Sequence, residues 1–184
     1  MKKERLDLKP ERSLYLSRSF SEKEADNLIG QLFELNKSEG PIFLFFNSHG
    51  GSFPGARKLY DNISLSPNPV IGIVIGDAFS AAAMVLQACE TRYASEGSRI
   101  LIHHVFLPVQ DMILHHDDTA ESVWKGLEKD LGKIKKNDKV FIKAMSKKMI
   151  VPQEEIIKLM DKDQAISAKK ALKFGLIDEI INIF

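Results

Sequence analysis

Four short pieces of this sequence carry the residue types that hydrolytic chemistry needs. "NSHGGS" holds Gly50–Gly51, "GDAFSAAAM" holds Ser80, "RILIH" ends on His103, and "MDKDQAIS" holds Asp163. A serine hydroxyl is a weak nucleophile near neutral pH and needs a base within hydrogen-bond reach. Histidine is the usual base because its pKa lies near working pH. A carboxylate behind it fixes the tautomer and stabilises the imidazolium. Two adjacent glycines present backbone N–H groups without side-chain obstruction, so Gly51 and Ala81 are candidate donors to a developing oxyanion. Each piece also has a plainer reading. Ser80 suits a helix N-cap or a packing serine, Gly-Gly a simple turn, His103 a structural strand end, and Asp163 a solvated carboxylate.

The elements between these pieces must bring them together. "SLYLS", 13–17, alternates like a short strand, and "SEKEADNLIGQLFELNKSEG" reads as an amphipathic helix. Ser21 and Glu24 suit a capping box there, with Gly40 closing the segment. "PIFLFF", 41–46, is a continuous apolar run that fits a strand covered on both faces. "NSHGGS" reads as a turn and "GARKLYDNISLS" as a helix. "PVIGIVIG" predicts a second buried strand. It runs into a helix that starts at Ser80 and carries Cys89. "TRYAS" and "RILIHHVF" add two strands. The alternation of strands and helices predicts an α/β layered fold with a parallel core, whose sites lie at the C-terminal strand edge.

Beyond "FLPVQDMILHHDD" the texture changes. Val123, Leu127, Leu131, Ile134, Val140, Phe141, Ala144 and Met145 recur at helical spacing within 118–148, with lysines between them. This predicts one long helix or two stacked ones, with Gly126 and Gly132 as weak points. "PQEEIIKLM" is a short helix with Pro152 in its first turn. "SAKKALKFGLIDEIINIF" is a helix stopped at Gly175, then a closing strand. "HHDD", with His115, His116, Asp117 and Asp118, lacks a matching ligand pair for a metal. It reads better as a helix start capped by Asp117 or Asp118.

The chain has 184 residues, net charge +1 and one cysteine. That length suits one domain, 1–184. The charge gives no reason to expect nucleic acid, and no apolar run is long enough to span a bilayer. The basic N-terminus lacks the apolar core of a signal peptide. The lone Cys89 rules out an internal disulfide and fits a reducing, cytoplasmic setting, where it reads as a buried small hydrophobe. Nothing in the sequence calls for a cofactor or a metal.

Several stretches resemble the ClpP-type serine peptidases, the proteolytic subunits of ATP-dependent Clp proteases, within the wider crotonase-like fold. "FLFFNSHGGS" looks like that family's "IYLYINSPGGS", and "YDNI" follows it as a Tyr-Asp does there. "GDAFSAAAM" looks like "GQAASMGAF", and "RYASEGSRILIH" fits the family pattern around its histidine. "DKDQAISAKKALKFGLIDEI" resembles the closing segment "RDRFLSAPEAVEYGLVDSI". The likeness runs from about Arg12 to Ile181. It implies Ser80 as nucleophile, His103 as base, Asp163 rather than Asp161 as its carboxylate partner, and Gly51 with Ala81 as oxyanion donors. It further implies repeated β-β-α units around a mostly parallel sheet, and a long helical handle at about 105–150.

The departures carry information too. Phe79 replaces a small residue before the serine, where it narrows the site or packs beneath it. The family's "HQP" is here "HHV", 103–105, and the Gly-rich stretch beyond it is missing. His104 would face away from His103 if the strand continues. The segment from His103 to Asp163 is about ten residues longer than usual, and little precedes the first strand. The axial loop and first helix that help dock an AAA+ unfoldase are therefore expected to be reduced. The resemblance implies a cytoplasmic serine endopeptidase that cleaves peptides or unfolded proteins through an acyl-enzyme, assembled as a homo-oligomeric ring. The alternatives are a catalytically silent ClpP-like assembly subunit and a crotonase-like acyl-CoA enzyme.

Overall fold

A computed structural model of the chain describes residues 7–106 and 119–181. Its elements run β1 (Ser13–Phe20), α1 (Glu22–Leu35), β2 (Ile42–Gly51), α2 (Phe53–Ser64), β3 (Val70–Phe79), α3 (Ala81–Leu86), β4 (Thr91–Ser95), β5 (Arg99–Leu101), α4 (Ala120–Ser146), α5 (Gln153–Lys162), β6 (Ile166–Ser167), α6 (Ala168–Phe174) and β7 (Glu179–Ile181). The expected layered α/β fold is what forms. The strands lie in the order β1-β2-β3-β4-β7, with β5 also beside β3 and β6 beyond β5. Every pairing is parallel except β5 with β6.

Local sequence explains most boundaries. Ser21 caps α1 and forms the reciprocal box with Glu24, satisfying two otherwise orphaned N–H groups. That helix ends at Leu35, five residues before Gly40. Pro152 caps α5 from the position just before its first helical residue. Gly175 ends α6 in the left-handed conformation. The segment expected as one or two helices is the single 27-residue α4, unbroken at Gly126 and Gly132. Its N-cap is Thr119, which accepts from the Ser122 amide. Asp117 and Asp118, expected as caps, lie outside the described residues, as do His115 and His116.

Several expectations are corrected. Gly50–Gly51 is not a turn: β2 continues through both, because Ser19 and Phe20 supply pairing partners for them. The strand expected over 99–106 stops at Leu101, where the partner strand β6 has run out. Helix α3 is only six residues long, so Cys89 lies just past it rather than on it. Cys89 is fully buried, and burial pushes its thiol up to about 12.

The core lies on one face of the sheet. Leu14, Leu16, Ile42, Leu44, Phe46, Val70 and Val74 pack there against Leu28, Leu32, Leu59 and the all-buried α3. The opposite face was expected to be covered as well. Phe43 and Ile73 are buried on it, but Tyr15 is 59% exposed and Ile75 is 40% exposed. Tyr15 stacks on Phe45 across the strands, with centroids 5.1 Å apart. This arrangement leaves an open apolar surface on the sheet.

Candidate active site

The site forms where β2, β3 and β5 end. Strand β3 pairs with β4 through Ile71–Val74, then with β5 through Asp77–Phe79. Phe79 lies opposite Leu101, and the Ser80 N–H donates to the Leu101 carbonyl at 2.8 Å. That bond fixes the elbow between β3 and α3. Ser80 itself stands at φ 55°, ψ −124°, a region that L side chains avoid. A non-glycine residue held there costs about 1–3 kcal/mol, and such strain recurs at functional turns. Ser80 does stand at the N-cap of α3, but its hydroxyl makes no capping bond.

The end of β2 closes against this elbow. Ser52 donates to the Phe20 carbonyl at 2.8 Å, and in a parallel ladder this turns the preceding N–H, that of Gly51, away from β1. Gly51 has φ 144°, and a Cβ there would collide with the Phe20 backbone. The Ser80 N–H is already bonded to Leu101. The next amide, Ala81, opens α3 and is one of the donors that a helix start leaves free.

One cavity of about 480 Å³ is lined by Ser80, Ala81, Gly51 and His103, together with His49, His104, Phe53, Phe106 and Phe141. Four of the five expected site residues therefore share one pocket. Asp163 is not among the lining residues. It is exposed, caps α5 in the left-handed conformation, and its carboxylate makes no hydrogen bond among the described residues. His103 makes none either; its ring lies 5.3 Å from that of Phe106. The antiparallel β5–β6 pairing sets Arg99 opposite Ser167 and Ile100 opposite Ile166. The ladder ends there, with Asp163 closing α5 before β6 begins, so the pairing does not itself set His103 beside Asp163.

The neighbouring histidine is placed differently from expectation. With β5 finished, His104 lines the same cavity as His103. Its Nδ1 lies 2.7 Å from Asp138 of α4, and its Nε2 lies 3.1 Å from Asp161 at the end of α5. The Asp138 hydrogen bond, and secondarily Asp161, raise the His104 pKa against the opposing effect of burial. With both ring nitrogens engaged, His104 has none free for Ser80. Sequence reading missed this cluster because 34 residues separate His104 from Asp138. Phe79 does not line the cavity. Its ring stacks on His49 at 5.6 Å and lies 5.3 Å from the Arg99 guanidinium, which Asp77 holds through two bonds.

A serine on a strained strand-to-helix elbow, opening on a histidine and glycine backbone, brings together the residue types that serine hydrolysis uses. Comparison with known proteins narrows this. The family model described as Clp protease matches residues 3–183. The ATP-dependent Clp protease proteolytic subunit of Borreliella afzelii (strain PKo) is 30% identical over 175 residues, covering 93% of this chain and 83% of that protein. Proteolytic subunit 2 from Prochlorococcus marinus (strain NATL2A) is 27% identical over 173 residues, covering 93% and 82%. A solved ClpP1 mutant from Listeria monocytogenes shares the fold, with a TM-score of 0.79 at 22% identity, over 94% of this chain and 92% of that one. The chain belongs to the Clp protease family, whose activity is that of a serine endopeptidase.

Proposed function

We propose that this chain cleaves peptides through a Ser80–His103–Asp163 triad. The observation that carries the reading is the single cavity shared by Ser80, His103, Gly51 and Ala81. His103 takes the Ser80 proton as Oγ attacks the scissile carbonyl. The Gly51 and Ala81 N–H groups receive the oxyanion. His103 then protonates the leaving amine, and water releases the acyl group by the same route reversed. Asp163 orients the His103 ring once substrate draws the segment together. Catalytic hydrogen bonds are commonly longer before substrate binds, which accommodates the unbonded His103 and Asp163. A peptide entering beside Gly50–Gly51 can add as a strand, which suits extended and unfolded substrates.

Assembly fits the same reading. From Val123 to Lys139 no residue of α4 is buried, although Val123, Leu127, Leu131 and Ile134 form an apolar stripe beside Trp124. A ring of identical subunits would cover this stripe and the open sheet face. The names of the relatives suggest an ATP-driven unfoldase as a further partner, and a cytoplasmic setting goes with that. No helix among the described residues is long and apolar enough to cross a membrane.

A fluorophosphonate probe tests the nucleophile. Ser80 should be the labelled residue, and Ser80→Ala should abolish labelling and lower turnover by about a millionfold. A folded wild-type protein that resists the probe would overturn the triad and favour the silent assembly subunit.

A further inference from the structure

His104 joins three stretches of chain that the proposed triad needs in register. Its Nδ1 meets Asp138 of α4 at 2.7 Å, and its Nε2 meets Asp161 at 3.1 Å. The other Asp138 oxygen accepts from the Val105 N–H at 2.7 Å, so one carboxylate grips both the ring and the backbone beside it. His104 directly follows His103, and Asp161 lies two residues before Asp163. We propose that His104 is a positioning residue, clipping the His103 segment to α4 and to the end of α5 so that His103 is held in the cavity with Ser80. The inference rests on the triad reading above.

The clip has a definite charge requirement. Two carboxylates face the ring, Asp138 from α4 and Asp161 from the end of α5; the other titratable groups lining the cavity are His49 and His103. A protonated imidazole donates to both carboxylates. A neutral one donates once and turns a lone pair toward the other oxygen. The clip therefore holds at pH below the ordinary histidine pKa of about 6.5 and loosens as pH climbs through the raised value of the folded protein. Ser80 reactivity should therefore fall as His104 loses its proton.

The test measures the rate of fluorophosphonate labelling at Ser80 between about pH 5 and pH 9.5. NMR of the His104 ring supplies its titration midpoint alongside. In wild type the midpoint of the alkaline fall should coincide with the His104 titration. H104Q should label about 10- to 100-fold more slowly at the optimum, the loss typical of slight misalignment, and show no alkaline fall. D138N allows a neutral ring to bond on both sides, so it should keep the optimum and lose the alkaline fall. Should H104Q fail to fold, D161N at the exposed end of α5 makes the same comparison as D138N. An H104Q or D161N protein with the wild-type rate and the wild-type alkaline fall overturns the clip while leaving the triad standing. A wild-type protein that never labels overturns the triad and the clip with it.

Discussion

A Cβ on Gly50 would stand 2.8 Å from the Cβ of Ser80 and 2.8 Å from the Phe79 carbonyl oxygen. Gly50 lies near the end of β2 and Ser80 just past β3, and their closeness brings the backbone of β2 against the elbow of β3. Gly50 also has φ 96°, a conformation that disfavours other residues. Gly50→Ala should cost about 2 kcal/mol in stability and slow probe labelling of Ser80 by at least about tenfold. Denaturant melting and labelling kinetics on the same preparation check both. Unchanged labelling would mean that the elbow tolerates displacement.

The strain at Ser80 predicts a stability difference between two inactive proteins. Ser80→Gly relaxes the positive φ, whereas Ser80→Ala keeps it. The glycine protein should be more stable than the alanine one by about 1 kcal/mol, despite its freer unfolded chain. Equal urea midpoints would show that no conformational energy is stored at the elbow.

Buried Arg92 predicts the behaviour of the closing segment. Its guanidinium donates to both Asp178 oxygens, to Gln87 and to the Gly175 carbonyl, while the backbones of Arg92 and Asp178 bond in return. Arg92→Ala should destabilise the fold by about 3 kcal/mol, because these acceptors lose a donor inside the protein. Burial alone would raise the Asp178 pKa; the Arg92 bonds and charge outweigh it and hold the carboxyl low. Its contribution is present above the ordinary carboxylate pKa and is lost as pH falls through the lowered one. Stability in acid should therefore fall less steeply for Asp178→Asn than for wild type, as pH-dependent melting would show.

The apolar stripe on α4 predicts how assembly fails. Trp124 is 70% exposed and Leu131 is 55% exposed. Trp124→Gln with Leu131→Gln should leave the fold intact and shift the protein to smaller species in analytical ultracentrifugation. An unchanged mass distribution would remove α4 from the contact.

Much of this fold was legible because local rules agreed with the final packing. The capping box at Ser21, the apolar periodicity of α4 and the stop at Gly175 are short-range features, and each appears where its residues call for it. The misreadings arose where distant partners decide. Gly50–Gly51 resembles a turn until β1 pairs with it. The 99–106 stretch looks like one strand, but its length depends on β6, which is only Ile166–Ser167 and far along the chain. The site was partly readable for the same reason. Gly51 ends β2, Ser80 and Ala81 follow β3 and His103 follows β5, and they meet through strand order. The bonds of His104 to Asp138 and Asp161 depend on how α4 and α5 return to the sheet, and no periodicity records that.

The sole cysteine lies inside the protein, with its sulfur unavailable to reagents while the chain stays folded. Any cysteine introduced on the surface would consequently be the one reactive thiol, with no background to remove. A dye attached at position 124 could then report subunit exchange directly, and spontaneous modification of Cys89 itself would serve as a clock for unfolding.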